Sequence, residues 1–225
     1  MNVTNEINKI LNTKDSYQAP KILMDILCGD RDERDKVFKQ FLELFKYDVT
    51  FDWFHEYFQD EHADRKKKKQ DFTPKSISKL LSSFVSSEDG TYYEPAAGTG
   101  GILIQKWDDD RMKHSPLEYM PSFYFYTAEE LSDRTIPFLL FNMLIRGMNG
   151  LVVQCDVLTR EAYGAWFIQN DDNDHFHFSS LNKLPPNEMI ERELNVTFVE
   201  DNYPHIMQTT KWPEWLGDAN EYIPS

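Results

Sequence analysis

Only two cysteines, Cys28 and Cys155, occur in 225 residues, far apart and in no metal-ligand spacing. That excludes a disulfide scaffold and a cysteine-built zinc site, and unpaired thiols in a reducing compartment are expected. Hydrophobic residues never run to the roughly 20 that a bilayer-spanning helix needs. The first ten residues are polar, without the apolar stretch of a signal peptide. A cytoplasmic chain with no membrane contact is the expectation. Basic residues are also in short supply: 24 Lys and Arg face 38 Asp and Glu, a net charge of −14. Residues 1–75 carry 14 basic against 15 acidic side chains, and residues 76–225 the remaining 10 against 23, so the deficit is −1 and −13. A protein that grips DNA unaided usually shows a basic face, because phosphate contacts dominate affinity. Either a partner contacts DNA for this chain, or DNA is not what it acts on. No internal repeat is present, and the only low-complexity tract is the basic run Arg65-Lys66-Lys67-Lys68-Lys69, a solvated end or a phosphate contact.

What is present suffices for a core, since 40% of residues are hydrophobic and 14% aromatic. The length fits one domain, or one domain with a helical appendage. Ile22, Leu23, Ile26 and Leu27 read as a short amphipathic helix ending near Gly29. Val37, Phe38, Phe41, Leu42 and Phe45 form a helical stripe over residues 35–45. Thr50 or Asp52 caps a further helix carrying Trp53, Phe54, Tyr57 and Phe58, aromatics expected in the core. A helix over residues 75–85 starts at a proline. Strands are expected over residues 91–93, 122–126, 151–154, 165–169 and 196–199, with a helix over 135–147 between the second and third. Pro185 and Pro186 mark a loop, and Trp212 and Trp215 anchor the tail on the domain.

The chain is organised around residues 92–104. A β-prone run meets Glu94-Pro95, a tight loop carries glycines at 98, 100 and 101, and an apolar helix start follows. Glycines there allow positive φ and a close ligand approach, and the helix start offers free N–H groups to an anion. The spacing is neither the G-x-G-x-x-G of dinucleotide binders nor a phosphate loop. No lysine follows the glycines, which argues against a nucleoside triphosphate. The acid beside the proline suits a ligand with an ammonium group or hydroxyls.

Glu94-Pro95-Ala96-Ala97-Gly98-Thr99-Gly100-Gly101 resembles the S-adenosylmethionine (SAM) loop of N6-adenine DNA methyltransferases, in particular that of the modification (M) subunit of type I restriction systems. Gln70-Asp71-Phe72-Thr73-Pro74 is similar to the Q-F-F-T-P motif that precedes this loop in the family, with Asp71 in place of the first Phe. Residues 128–130 resemble the family's G-x-E, which makes Glu130 the candidate for the ribose hydroxyls and Glu129 its rival. Both could instead be solvated acids near a helix start. Residues 141–147 look like the family's helix N-x-L-I-H-G. Cys155-Asp156-Val157-Leu158 resembles its G-D-x-L turn, whose aspartate accepts the adenine N6 hydrogens of SAM; a plain turn is the other reading of Asp156.

The resemblance covers about residues 70–158. It implies an α/β fold, a doubly wound, mostly parallel Rossmann-like sheet over residues 71–225, preceded by a helical segment over 1–70. It implies SAM as cofactor, held by Phe72, Thr73, Pro74, Glu94, Pro95, Ala96, Gly98, Thr99, Gly100, Glu130, Leu131, Asp156 and Val157. In the family a fourth strand ends in Asn, Asp or Ser, two prolines and an aromatic, which localise the lone pair of a flipped-out adenine amino group and stack on the base. Residues 165–169 followed by Asn170 stand in that place. Asn170 is therefore the candidate catalytic residue, although the prolines and the aromatic are absent. Asp171, Asp172, Asp174, His175 and His177 allow a metal reading, but methyl transfer from SAM needs no metal and none is expected. The implied function is methyl transfer from SAM to DNA adenine, with DNA reached through a specificity partner. The alternatives are a SAM-binding protein without catalysis, and a SAM enzyme acting on protein or a small molecule.

Overall fold

The structure, a computed structural model, describes residues 3–55, 57, 90–115 and 117–209. The Phe72-Thr73-Pro74 motif, the helix expected over 75–85, the basic run, Phe58, Trp212 and Trp215 lie outside those residues, as does the expected boundary between residues 70 and 71. Among the described residues, helices α1 (Val3–Ile10), α2 (Ala19–Leu27) and α3 (Arg31–Leu44) come first. Helix α3 starts four residues earlier than its apolar stripe, because the Asp30 carboxylate accepts from the Glu33 N–H at 3.0 Å and caps it.

The sheet follows: β1 (Thr91–Pro95), β2 (Phe125–Glu130), β3 (Gly150–Cys155), β4 (Glu161–Gln169), β5 (Ser180–Lys183) and β6 (Thr197–Phe198). Helices α4 (Gly101–Arg111), α5 (Ile136–Ile145) and α6 (Glu188–Leu194) complete the chain. The sheet order is β1-β2-β3-β4-β5, with β6 also beside β4. Strands β1, β2 and β3 run parallel, linked by the crossover helices α4 and α5, the α/β pattern expected. Strand β2 begins at Phe125 rather than at 122, since Pro121 opens a short 3-10 turn before it.

The fourth strand departs from expectation. Strand β4 is antiparallel to β3, with Gly150 opposite Ile168 and Gln154 opposite Gly164. Five residues, 156–160, join the two strands, a hairpin connection far shorter than the dozen or more a parallel crossover requires. Strand β5 pairs antiparallel with β4, and the two-residue β6 pairs with the start of β4. Helix α6 appears after Pro185-Pro186, capped by Asn187, whose side chain accepts from Ile190 N–H at 3.0 Å.

Side chains alternate across the sheet. Val152, Trp166 and Ile168 join one core, while Val153, Ala165 and Phe167 face a second under α6 with Ile190 and Val196. The first core is the larger. Every residue of α5 is buried and all but Asn142 are apolar, as suits a helix packed between two layers. It lies between the sheet and the N-terminal helices. The Phe141 ring packs against Phe38, Phe41 and Phe54 with centroids 4.8, 4.8 and 5.1 Å away. Trp53, Phe54 and Tyr57 are buried here, so three of the four aromatics expected in the core are in it, and the fourth, Phe58, lies outside the described residues.

Candidate cofactor-binding site

The C-terminal ends of the three parallel strands form one edge, and β1 delivers the glycine loop to it. Ala96, Gly98 and Gly100 all take positive φ, at 57°, 58° and 91°. The loop closes on itself and on β2: Gly100 N–H donates to Ala97 O at 2.9 Å, and Ala97 N–H to Glu129 O at 2.8 Å. Gly100 occupies the N-cap of α4, and a glycine has no side chain to cap with. Glu94 supplies the missing acceptor from the strand below, since its carboxylate takes the Leu103 N–H. Tyr92 donates its hydroxyl to Glu94 Oε2 at 3.3 Å. These bonds do not offset burial, which pushes the Glu94 carboxyl up to about 8.

Glu130 closes the loop from the next strand. Its Oε2 accepts from Gly98 N–H at 2.8 Å and its Oε1 from Ser132 N–H at 2.9 Å. Glu129 faces elsewhere. Arg160 holds it with two bonds of 2.8 and 2.9 Å, and the Tyr93 hydroxyl adds a third at 2.9 Å. Burial alone would raise the Glu129 carboxyl, but the hydrogen bonds from Arg160 and Tyr93 outweigh it and hold it low. Glu129 is thus committed to an ion pair that ties β2 to the β3–β4 turn.

Beside Glu130, Leu131 is half exposed and borders a cleft of about 430 Å³ lined by Asp133, Gln154, Tyr163, Glu200, Asn202 and Tyr203. Gln154 at the end of β3 donates to Leu131 O at 3.2 Å and accepts from the Tyr203 hydroxyl at 2.6 Å. Sequence reasoning missed this wall. Gln154 was legible as a polar residue closing an apolar strand, whereas Tyr163 and Tyr203 arrive only through the hairpin and the tail. Asp156 and Val157 lie at the same end. Asp156 Oδ1 accepts from Leu158 and Thr159 N–H at 2.8 and 3.2 Å, so this oxygen caps its own turn. Val157 packs on the core under α6.

Asn170 stands at the other end of the sheet. Because β4 runs back along β3, its last residues lie beside the first residue of β3. The Asn170 amide donates to Gly147 O and Asp174 O at 3.0 and 2.8 Å, and its Oδ1 accepts from Asp174 N–H at 3.2 Å. It is buried and spent on holding a loop. The candidate base acceptor is therefore not brought to the glycine loop; the reversed strand direction is the reason. The structure does bring together Glu94, Pro95, Ala96, Gly98, Thr99, Gly100, Glu130 and Leu131.

Asp52, which sequence reasoning treated as a helix cap, also reaches this loop. Its carboxylate accepts from Phe54 N–H at 2.9 Å, from Asn142 Nδ2 at 2.9 Å and from the Thr99 hydroxyl. Asn142 in addition donates to Thr99 O at 2.8 Å. Arg146, one turn further along, donates to Val49 O, Phe51 O and Asn142 Oδ1 at 2.8, 2.7 and 2.9 Å. Burial drags the Arg146 guanidinium down to about 9 against the opposing pull of Asp52.

A parallel βαβαβ unit with an acid-proline glycine loop on its first strand and an acid at the tip of its second places the chain in the α/β class. The sequence profile of the N-6 DNA methylase family matches residues 46–179, more than half of the chain, and the chain belongs to that family. The matched span takes in Asp52, the loop and all of β3 and β4. No curated protein matches the chain. Among solved structures, one described as a modification subunit of a putative type I restriction enzyme from Vibrio vulnificus YJ016 superposes with a TM-score of 0.40 at 15% identity. The match covers 54% of this chain and 26% of that one, so the chain spans about a quarter of that subunit.

Proposed function

We propose that the chain binds SAM at the C-terminal edge of β1–β3 and serves as the cofactor-holding part of an adenine-N6 DNA methyltransferase. The observation that carries this reading is the meeting of Glu94, the Gly98-Thr99-Gly100 turn and Glu130 on adjacent parallel strands. The residues present suit the cofactor. Gly98 lets the backbone approach a ligand without a Cβ in the way, while a Cβ on Gly100 would meet Leu139 at 2.9 Å, so that glycine lets the loop pack on α5. Glu94, a carboxyl that burial pushes up to about 8, would gain a cationic neighbour in the ammonium and sulfonium of SAM. Glu130 accepts one N–H on each oxygen, which leaves lone pairs for two ribose hydroxyls. Leu131, Gln154 and Tyr163 offer an apolar and amide-lined cleft for the base. Bound SAM supplies an electrophilic methyl group; the chain's own residues bind, orient and shield it.

Phe72-Thr73-Pro74 would cover the methionine end, as the resemblance implies. Asp156 would receive the adenine amino group on the oxygen not used by its turn, with Val157 behind it. The domain division at residue 70, the cytoplasmic setting and a DNA-contacting partner belong to the same reading. The partner is favoured by the net charge of −14. No helix among the described residues is long and apolar enough to cross a membrane.

A second reading, SAM binding without catalysis, is favoured by one observation: Asn170 is locked into a loop at the far end of the sheet. Titration calorimetry with SAM and S-adenosylhomocysteine tests the binding. Tritiated methyl transfer to adenine-rich duplexes, alone and with candidate partners, separates the readings. Transfer that survives Asn170→Ala points to a base acceptor elsewhere. Binding with no transfer to any DNA favours the non-catalytic reading, and absence of SAM binding would end both.

A further inference from the structure

Thr99 is the one residue in Gly98-Thr99-Gly100 with a side chain, and it is held at both ends. Its hydroxyl donates to Asp52 and its carbonyl accepts from Asn142 at 2.8 Å. Asp52 and Asn142 are themselves joined at 2.9 Å, and both are backed by the buried Arg146. Thr99 and Asn142 are buried, so water does not substitute for these partners. The glycines on either side sit at positive φ and have many other conformations open to them. Glu130 holds the Gly98 N–H and Ala97 O the Gly100 N–H, and the residue between the two glycines ties the turn down from the other side. Its anchor comes from a segment more than forty residues upstream in sequence, ahead of the loop and outside the parallel unit.

We infer that Asp52 is a positioning residue of the cofactor site, holding Thr99 and through it the geometry in which Gly98 and Gly100 present their backbone to SAM. The inference rests on the cofactor reading above. It makes the N-terminal segment a working part of the site. Asp52 touches no ligand; it lowers the cost of ordering the loop, and a loop ordered only a tenth of the time binds about tenfold more weakly.

The test measures SAM affinity by calorimetry and amide exchange over residues 97–101 in ligand-free protein. Asp52→Ala removes the anchor, and Thr99→Val removes the same bond from the loop side while leaving Asp52 beside Arg146. Each should weaken SAM about tenfold and speed exchange across the loop. The double variant should be no weaker than Asp52→Ala alone. Asp52→Asn should restore most of the affinity, because its amide oxygen keeps the Phe54 and Asn142 bonds and its NH₂ donates to the Thr99 hydroxyl. Val37→Ala, in the N-terminal helical layer and remote from the loop, controls for lost stability: it should lower the melting temperature with SAM affinity unchanged. Wild-type protein that binds SAM while Thr99→Val and Asp52→Ala bind it equally well would overturn this inference and spare the cofactor reading. Wild-type protein that binds no SAM would overturn both.

Discussion

Glu94→Gln isolates the electrostatics of the site. Burial raises the Glu94 carboxyl from 4.5 to about 8, since the Tyr92 hydroxyl and the Leu103 N–H return less than water gave. At pH 7 roughly nine-tenths of the folded protein therefore carries a proton there. Two consequences have opposite signs. Without ligand, the folded state keeps a proton that the unfolded chain releases, so the Glu94 contribution to stability is largest at low pH. It falls as pH rises from about 4.5 to about 8. Ideal linkage puts the full fall at ~5 kcal/mol, an upper limit that relaxation of the site reduces. With SAM bound, its positive charge stabilises the carboxylate, so binding expels the proton. Calorimetry at pH 7 in phosphate and in Tris should then give heats that differ by the buffers' ionisation enthalpies, with roughly one proton released per SAM. Affinity should rise between pH 6 and pH 8, by up to about tenfold per pH unit. The amide that replaces the carboxyl in Glu94→Gln keeps an acceptor for Leu103 N–H, so the variant should fold, release no proton, and show flat stability and affinity over this range. Wild-type binding that releases no proton and does not change with pH would refute the reasoning.

Glu130→Ala frees Gly98 N–H and removes the acceptor for ribose; SAM affinity should fall by about 1.5–3 kcal/mol in the same titration, the worth of a hydrogen bond to a charged group. Asn170→Ala should leave SAM affinity unchanged. It should cost about 1–3 kcal/mol in urea unfolding, because the Gly147 and Asp174 carbonyls lose their donor. Phe141→Ala opens a cavity among Phe38, Phe41 and Phe54 and should cost about 3–5 kcal/mol in the same assay.

The cofactor loop was legible because its grammar is local. A strand, an acid-proline pair and three glycines before an apolar run constrain the backbone within about ten residues, and β1, the loop and α4 follow that order. The aromatic stripes of the N-terminal segment were legible as core for the same reason. Strand direction was not. An alternating run such as residues 165–169 looks the same parallel or antiparallel, and the decision lay in the length of the connection before β4. With Ala165 as its first residue, the ten residues 155–164 already fall short of the dozen or more that a parallel crossover needs; with Glu161, only a turn remains. Asn170 was misplaced because the direction of that strand was not weighed against the length of the connection before it. The contact of Asp52 with Thr99 joins positions 47 apart, and no periodicity or motif records it.

Helix α5 has no polar side to turn to water, and its neighbours are made at very different times. The aromatic rings of residues 38–54 leave the ribosome about ninety residues before Phe138 and Phe141, which complete their shell. Until then the part of the early helices' oily face that these rings cover stays open, and long-range closure of this kind is slow and prone to aggregation. Production in cells should therefore favour slow translation, low temperature and available chaperones.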